Sequence, residues 1–345
     1  MQRPGQSASP ISTAVTGIDA KVAFLRRPEA YPARPRRVDA VETHMSWVFL
    51  TTGFAYKLKK PICHERLDFS TLDRRRYYCT EEVRLNRRLA EDVYLRAIAL
   101  TLDADGGLSV GGRGAPVDWL VQMRRLPADH MLDAVVVRGP VAEGDVHAIA
   151  CRLAHFYARA PSLAVSGLAL RTRLERGLHA DFRELVRPEF GLAPSRVEKV
   201  VQQQLAFLEE HARLFDSRVR EGRIVDGHGD LRPEHICLAP NPVIIDCLEF
   251  CAELRELDPI DELAFLTLEC ERLGQPRVGR WFLEAYTQAT GDALPEVLFG
   301  FYHDYRALRR AKLAAWHLDD PTVRDPGHFR TKAQRYLELV GRRSL

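Results

Sequence analysis

Apolar residues in the first third of the chain alternate with polar ones or form short runs between turn residues. Five such segments precede residue 125: residues 38–42, 47–50, 54–58, 95–102 and 117–123. A period of two is typical of half-buried strands, and a short link that contains glycine, such as Thr51-Thr52-Gly53, is typical of a hairpin. The pattern therefore predicts a small sheet in this part of the chain.

A helical period interrupts these strands. Apolar side chains recur at helical spacing at five positions: Leu72, Cys79, Val83, Leu85 and Leu89. This spacing predicts a helix over residues 71–89, and Ser70 with Asp73 predicts a capping box at its start. The pattern over residues 37–124 therefore predicts a small sheet that carries one long helix.

Beyond residue 125 the pattern becomes mainly helical. Helices are predicted at residues 143–160, 195–220, 259–272, 279–288 and 296–318, with short strands only in "RIVDG", "ICLA" and "PVIID". The predicted organisation has three parts. Residues 1–36 form a flexible tail with a short helix, residues 37–125 form an N-terminal lobe, and residues 126–345 form a helical C-terminal lobe.

Composition fits a globular protein and excludes several function classes. Of the 345 residues, 46% are apolar and 28% are charged, and the net charge is +3. That charge is too small to indicate nucleic-acid binding, although one arginine-rich helix at residues 74–88 leaves this alternative open. The chain begins without an apolar run, and no stretch has the roughly 18 apolar residues that span a bilayer. We expect a cytoplasmic protein without a membrane partner.

Two clusters carry candidate chemistry. In "HGDLRPEHICLAPNPVIIDCLEF", His228, Asp230 and His235 follow one short apolar run, and Asp246 and Glu249 follow a second. A hairpin there would bring Asp230, His235 and Asp246 together, as in a metal-assisted reaction. The other cluster is "AYKLKKP", which holds three of only seven lysines in an arginine-rich chain. A solvated strand end explains this cluster equally well.

These motifs resemble the aminoglycoside phosphotransferase-like, or choline-kinase-like, branch of the protein-kinase fold. HGDxxxxN followed by a strand that ends in Asp is similar to "HGDLRPEH" and "IID" here. "AYKLKKP" resembles the nucleotide-lysine strand, "TEEVRLNRRL" the partner helix, "VQMRRLP" the hinge and "ELDPIDELAFL" the segment after the metal loop. The motifs also resemble those of an uncharacterised bacterial subgroup that carries "HGDLRPEH".

The resemblance implies an α+β, bilobal protein-kinase-like fold. It has a small antiparallel-sheet N-terminal lobe and a larger, mainly helical C-terminal lobe. It also implies an ATP-dependent phosphotransferase that moves the γ-phosphate to a hydroxyl of a small molecule, with Mg²⁺ or Mn²⁺ as cofactor. Catalysis of this kind consists mainly of positioning and charge neutralisation.

The resemblance also assigns residues on the nucleotide side. Lys57 would bind the nucleotide phosphates, and Glu82 in the helix would hold Lys57. Glu81 is the alternative for Glu82, and Lys59 is a second candidate lysine because it shares a strand face with Lys57. Met123 and Arg124 in the hinge would lie beside the adenine.

On the acceptor side, Asp230 would accept a proton from the hydroxyl or orient it. Asp246 would hold the metal, and His235 stands at the position of a second metal ligand. His228 would brace the loop through hydrogen bonds.

Three departures from the family pattern keep a second function open. His235 replaces an asparagine, and imidazole is a poor ligand for Mg²⁺. No GxGxxG covers the phosphates, and the metal segment is "DCLEF". Either Glu234 or Glu249 could supply the missing oxygen, or the protein is a nucleotide-binding pseudokinase with a regulatory or scaffold role. The sequence does not define the acceptor, the metal or the oligomeric state.

Overall fold

The structure is a computed structural model, and it describes residues 17–64, 66–238, 241–320 and 323–341. Residues 1–16 of the predicted tail lie outside the described residues, and the short helix predicted within residues 1–36 is present at Ile18–Leu25. The chain divides into two compact units: the first contains Met1–Pro127 and Ile244–Cys251, and the second contains Ala128–Val243 and Ala252–Leu345. The segment that carries Asp246 therefore belongs to the first unit, although its flanking sequence belongs to the second.

The described part of the first unit contains eight strands, six of which form one antiparallel sheet. The strands are β1 (Asp39–Glu42), β2 (Ser46–Leu50), β3 (Phe54–Lys59), β4 (Cys63–His64), β5 (Leu67–Asp68), β6 (Tyr94–Leu102), β7 (Leu108–Val110) and β8 (Ala115–Arg124). The order in the sheet is β1-β2-β3-β8-β6-β7, and β4 pairs with β5. The predicted sheet is confirmed; β4, β5 and β7 were not predicted.

Each face of this sheet is covered by a helix. Helix α1 (Ile18–Leu25) packs its apolar residues against one face, where Phe49, Leu58 and Leu120 are buried. Helix α2 (Leu72–Ala90) packs against β6 and β8. Because side chains alternate along a strand, β3 sends Tyr56 and Leu58 to the α1 side, and its lysines to the α2 side.

The start of α2 differs from the prediction by one residue. Thr71 is the N-cap, and its hydroxyl accepts a hydrogen bond from the backbone N–H of Arg74. The predicted capping box at Ser70 is therefore wrong. Ser70 stands one residue before the N-cap, and the hydrogen bond that its hydroxyl donates to Asp68 Oδ1, at 2.6 Å, orients its side chain toward Asp68.

The second unit is mainly helical. Its helices are α3 (Leu132–Arg138), α4 (Glu143–Arg159), α5 (Gly167–Leu185), α6 (Pro194–Glu210), α7 (Ala212–Arg220), α8 (Pro259–Arg272), α9 (Pro276–Thr290), α10 (Glu296–Ala315) and α11 (Pro326–Leu339). Four strands of two residues accompany them: β9 (Val225–Asp226), β10 (Ile236–Cys237), β11 (Val243–Ile244) and β12 (Glu256–Leu257). β9 pairs with β12, and β10 pairs with β11. The predicted helix at 195–220 is two helices, and α3, α5, α11 and β12 were not predicted.

Helix α8 forms the centre of the second unit. Its residues from Pro259 to Glu271 are all buried, which is typical of a helix surrounded by others. At its start Asp258 pairs with the buried Arg218, which also pairs with Asp292, each at 2.7 Å. No helix in the described ranges combines the length and the apolar character that crossing a bilayer requires.

Candidate active site

Lys57 in β3 lies between two carboxylates of the first unit. Its Nζ is 2.9 Å from Glu82 Oε1 in α2 and 2.8 Å from Asp246 Oδ1. The Glu82 side chain is only 1% exposed, whereas that of Asp246 is 43% exposed. Glu81, the alternative partner, instead pairs with Arg84 on the same helix. The structure therefore brings together Lys57, Glu82 and Asp246.

Opposite charges keep this group ionised in spite of its burial. Burial alone would lower the pKa of Lys57, but Asp246 and Glu82 outweigh it and raise that pKa well above its usual value. Burial would raise the pKa of Glu82, but Lys57 and Lys59 together lower it below its usual value. At neutral pH, the site therefore holds the charged ammonium of Lys57 beside the charged carboxylate of Glu82.

Lys59, two residues further along β3, is fully enclosed. Its Nζ donates to Glu82 Oε2 and to Glu249 Oε1, and it lies 4.8 Å from the centre of the Phe69 ring. Burial raises the pKa of Glu249 in spite of the opposing charge of Lys59. With a side chain that is 0% exposed, Lys59 offers no surface to a nucleotide phosphate. This leaves Lys57 as the candidate phosphate-binding lysine.

Hydrogen bonds fix the backbone around Asp246. Its N–H donates to the Tyr94 hydroxyl at 3.1 Å, and the N–H of Cys247 donates to Asn86 Oδ1 at 2.8 Å. Asp246 has a φ of 63°, in the left-handed region that residues with a side chain rarely adopt. Contacts on both sides hold this conformation, as is common at functional sites. Tyr94 and Asn86 were not predicted, although Asn86 lies one helical turn after Glu82.

The two hinge residues lie at the end of β8. Met123 pairs with Ala55, two residues before Lys57, and Arg124 pairs with Phe54. The Arg124 side chain is exposed, and its Nε donates to the carbonyl oxygen of Asp92 at 2.9 Å. The structure therefore places both residues on the strand beside the one that carries Lys57.

In the second unit a buried glutamate shapes the loop before Asp230. Glu262 in α8 accepts hydrogen bonds from the backbone N–H groups of His228 and Gly229, and from the hydroxyl of Tyr157 at 2.6 Å. His228 is completely buried, and Gly229 has a φ of 88°, which favours glycine. The predictions missed Glu262 and Tyr157, although Glu262 lies within the segment "ELDPIDELAFL".

Asp230 and His235 are joined by an arginine that was not predicted. Arg232 Nε is 3.1 Å and its Nη2 is 3.0 Å from Asp230 Oδ2. The same Nη2 is 3.0 Å from His235 Nε2, and His235 Nδ1 is 2.8 Å from the carbonyl oxygen of Asp230. Because a guanidinium only donates, Nε2 of His235 accepts and Nδ1 carries the proton.

This arrangement bears on the metal prediction for His235. Both ring nitrogens of His235 already have protein partners, so the ring offers no lone pair to a metal ion. Among the residues that the structure describes, no group of three or more His, Cys, Asp and Glu side chains is arranged to hold a metal. Magnesium is commonly held by one or two carboxylates together with substrate phosphates. The partly exposed carboxylate of Asp246 fits that kind of site.

A cavity of about 510 Å³ in the second unit is lined in part by Glu234, beside His235. Arg138 and Arg272 line it together with the carboxylates of Asp129 and Asp133. A wall that mixes both signs of charge does not select one class of acceptor. The cavity therefore leaves the acceptor undefined.

Sequence comparison identifies relatives but no family model. No protein-family model matches the chain. Uncharacterized proteins of Mycobacterium tuberculosis and Mycobacterium bovis are each 38% identical to it over 339 residues, which cover 88% of this chain. The match covers 66% of each relative, so the chain spans slightly less than two thirds of their length.

Solved structures share the fold. The GDP and kanamycin complex of APH(2")-IIia has a TM-score of 0.53 at 14% identity and covers 93% of this chain and 97% of its own. The GDP complex of an aminoglycoside 2'-phosphotransferase variant has a TM-score of 0.52 at 14% identity, with coverages of 88% and 91%. A choline/ethanolamine kinase family protein from Mesorhizobium loti has 0.56 at 12% identity, with coverages of 94% and 95%. At these identities the likeness concerns the fold alone. The chain thus has the α+β protein-kinase-like fold of aminoglycoside phosphotransferases and choline/ethanolamine kinases, with an antiparallel-sheet unit and a mainly helical unit, as the motifs predicted.

Proposed function

We propose that the protein is an ATP-dependent phosphotransferase that moves the γ-phosphate to a hydroxyl group of a small molecule. One observation carries the proposal: the Lys57 ammonium is held between the buried Glu82 and the exposed Asp246. A strand lysine fixed by a helix carboxylate is the arrangement that positions nucleotide phosphates in kinases. The GDP complexes among the similar structures support a nucleotide ligand.

On the nucleotide side, Lys57 would bind the phosphates, and Met123 with Arg124 would lie beside the base. Asp246 would hold Mg²⁺ or Mn²⁺ through a carboxylate oxygen. When bound, that ion would neutralise phosphate charge during transfer. Glu82 would keep Lys57 oriented, and Lys59 would keep Glu82 oriented through its second oxygen.

On the acceptor side, Asp230 would take the proton from the acceptor hydroxyl. The acceptor oxygen forms a bond to the γ-phosphorus, and the bond from that phosphorus to the bridging oxygen of the β-phosphate breaks. The nucleoside diphosphate leaves with the electron pair of the broken bond. The proton then passes from Asp230 to solvent, which restores the carboxylate.

The test is a transfer assay with γ-labelled ATP, Mg²⁺ or Mn²⁺ and a pool of small hydroxyl metabolites. We expect a labelled product, and a loss of about 100-fold or more in Lys57→Met and in Asp230→Asn, because each removes a charge from the reaction. Lys60→Met is the matched control, since Lys60 pairs with Glu42 at the surface. An unchanged rate in Asp230→Asn would remove Asp230 from the mechanism.

A nucleotide-binding pseudokinase with a regulatory or scaffold role is the second candidate. It is favoured by His235, both of whose ring nitrogens are engaged within the protein. Thermal unfolding with ATP in the presence of Mg²⁺ or of a chelator separates the two candidates. Stabilisation by ATP that needs no divalent metal, together with no transfer, would favour the pseudokinase. No stabilisation by any nucleotide would count against both.

A further inference from the structure

A second cavity of about 510 Å³ lies in the second unit, apart from the residues proposed for transfer. Its wall is formed by the C-terminal halves of α4 and α9, the first residue of α8 and the turn between α7 and β9. Small-molecule sites in proteins have volumes of roughly 300–1,000 Å³. The cavity is therefore large enough for a small organic ligand.

Much of the wall is apolar. The rings of Tyr157 and Tyr286 meet edge to face there, with their centroids 6.0 Å apart. The other apolar wall residues have small or compact side chains: Ala154, Ala158, Ala160, Val225, Pro259 and Ala289. An apolar wall with few polar groups is typical of a site that encloses the apolar body of a ligand.

One wall residue, Arg223, has hydrogen-bond donors that the protein leaves unused. Its Nε is buried and has no hydrogen-bond partner among the described residues. Two carboxylates lie beside it: Glu221 Oε2 is 3.9 Å from Nε, and Asp292 Oδ2 is 3.7 Å from Nη1. Both distances are too long for a hydrogen bond. Because a buried donor without an acceptor costs free energy, an acceptor oxygen of a ligand would be stabilising here.

Neither carboxylate neutralises Arg223 closely. Asp292 already accepts hydrogen bonds from Arg218 Nη1 and Nη2, at 2.7 and 2.9 Å. The Glu221 side chain is 49% exposed, so water screens its charge. The Arg223 side chain is itself 34% exposed and can be reached from solvent. A ligand carboxylate would form charge-assisted hydrogen bonds with this guanidinium, which are stronger than those of a neutral group.

The cavity is also connected to the loop that carries Asp230. The ring of Tyr157 lines the cavity, and its hydroxyl donates to Glu262 at 2.6 Å. Glu262 in turn accepts from the backbone N–H of His228, at 3.1 Å, and from that of Gly229. A ligand that packs against the Tyr157 ring would therefore hold Glu262, and with it the loop, in place.

We propose that this cavity is a second ligand site, which binds a small molecule with an apolar body and a carboxylate, and that the bound molecule restrains the loop that carries Asp230. The carboxylate accepts from Arg223, and the apolar body lies against the alanines and Tyr157. The inference goes beyond the proposed function, because this binding requires neither a nucleotide nor phosphoryl transfer.

The first arm of the test measures the binding of phenylacetate to the full chain by ligand-observed NMR. We expect the neutral analogue phenylacetamide to bind about 10-fold more weakly or worse, because it lacks the charge that Arg223 complements. Arg223→Gln should weaken phenylacetate binding by a similar factor. Ala289→Phe should weaken the binding of both compounds, because its ring occupies the cavity. The control is Arg335→Gln, whose arginine is exposed in α11 and pairs with Glu338.

The second arm measures hydrogen–deuterium exchange at the backbone amides of His228 and Gly229. Exchange there requires the loop to leave Glu262, so saturating phenylacetate should slow it by about threefold or more. Tyr157→Phe keeps the ring in the wall but removes the hydroxyl that contacts Glu262. We expect this variant to bind phenylacetate within about threefold of the unmodified protein but to lose the slowing.

The outcomes decide the two parts of the inference separately. Phenylacetate that binds no more tightly than phenylacetamide, or equally well after Arg223→Gln and after Ala289→Phe, would overturn the ligand site. Binding that depends on both residues, with unchanged exchange in the loop, would support the site and overturn the restraint. Slowing that persists in Tyr157→Phe would also overturn the restraint through Glu262. Circular dichroism checks that each variant is folded, and Arg223→Gln and Ala289→Phe test the site independently.

Discussion

Two lysines on one strand face differ in what surrounds them. Lys57 and Lys59 each take one oxygen of Glu82, but their second partners differ in exposure. Asp246, beside Lys57, is 43% exposed, whereas Glu249, beside Lys59, is 7% exposed. A bound ligand can therefore reach Lys57, whereas Lys59 holds the carboxylates in place.

Removing the Lys59 charge should destabilise the protein strongly. In Lys59→Met we expect a loss of about 3–5 kcal/mol in the free energy of unfolding, because buried Glu249 loses its lysine partner and buried Glu82 keeps only Lys57. Urea denaturation followed by circular dichroism measures it. Lys60→Met, at an exposed pair, should cost less than about 1 kcal/mol. Glu249→Gln combined with Lys59→Met should restore part of the loss, and equal losses in the single and double variants would argue against the proposed pairing energy.

Part of the site was predictable at the residue scale. The pairing of Lys57 with Glu82 follows from a strand lysine and a helix carboxylate at family spacing, and the structure contains that pair. The enclosure of Lys59 depends on Glu249, 190 residues away, and no local pattern indicates it. The contacts of Arg232 with Asp230 and His235 were not predicted either. An arginine beside a carboxylate is common in an arginine-rich chain, so the sequence gives no specific signal for it.

At the scale of elements, a histidine joins helices α8 and α10. His303 Nε2 is 3.2 Å from Glu271 Oε2, and its Nδ1 is 3.2 Å from Asp304 Oδ1. Burial lowers the pKa of this imidazole, but the hydrogen bonds to Asp304 and Glu271 outweigh burial and raise it to about 9. The ring is therefore charged at neutral pH and contributes a charge-assisted contact between the two helices.

Stability should consequently decline on the alkaline side. The pKa of His303 is raised from 6.5 to about 9, so its contribution is complete below pH 6.5 and is lost as the pH rises to 9. We expect it to amount to about 3 kcal/mol, at 1.36 kcal/mol per pKa unit. Urea midpoints at pH 6, 7.5 and 9 measure the decline. His303→Gln should flatten it, and the exposed control His179→Gln should not. A decline of equal size in both variants would place its origin elsewhere.

Elements were predicted best where apolar spacing alone decides. Helix α8 has the predicted bounds, residues 259–272, because apolar residues recur at helical spacing along it and Pro259 stands at its first position. The break between α6 and α7 at His211 was not predicted, since apolar residues continue at helical spacing across it. The cap of α2 was misassigned because Ser70 and Thr71 are both residues that cap helices, and the hydroxyl that accepts from Arg74 is that of Thr71.

At the scale of the whole molecule, residues 244–251 complete the first unit. They supply the carboxylates of Asp246 and Glu249 and the backbone groups that bond to Asn86 and Tyr94. The sequence predicted a change of character near residue 125. The sequence did not indicate that residues 244–251 rejoin the first unit, because eight residues are too few to show a periodic pattern.

A fragment test follows from this division. We expect residues 1–127 alone to be less stable than residues 1–127 joined by a flexible linker to residues 244–251. The difference should be about 3–5 kcal/mol, because the fragment lacks Glu249, one of the two carboxylate partners of buried Lys59. Urea denaturation of both proteins gives the comparison. Glu249→Gln in the joined protein should remove much of the gain, and identical midpoints with and without the segment would contradict this account.

The division of the chain into two units also determines when the first unit can be completed during synthesis on the ribosome. The first unit lacks its last segment until residue 251 has been made, 124 residues after residue 127. At roughly 5–20 residues per second, this interval lasts on the order of 6–25 s. During this interval, Lys57 and Lys59 of the nascent sheet have only Glu82 as a carboxylate partner, because Asp246 and Glu249 have not yet been added. A chaperone that shields the emerging chain would act within this window, and slow codons between positions 127 and 251 would lengthen it.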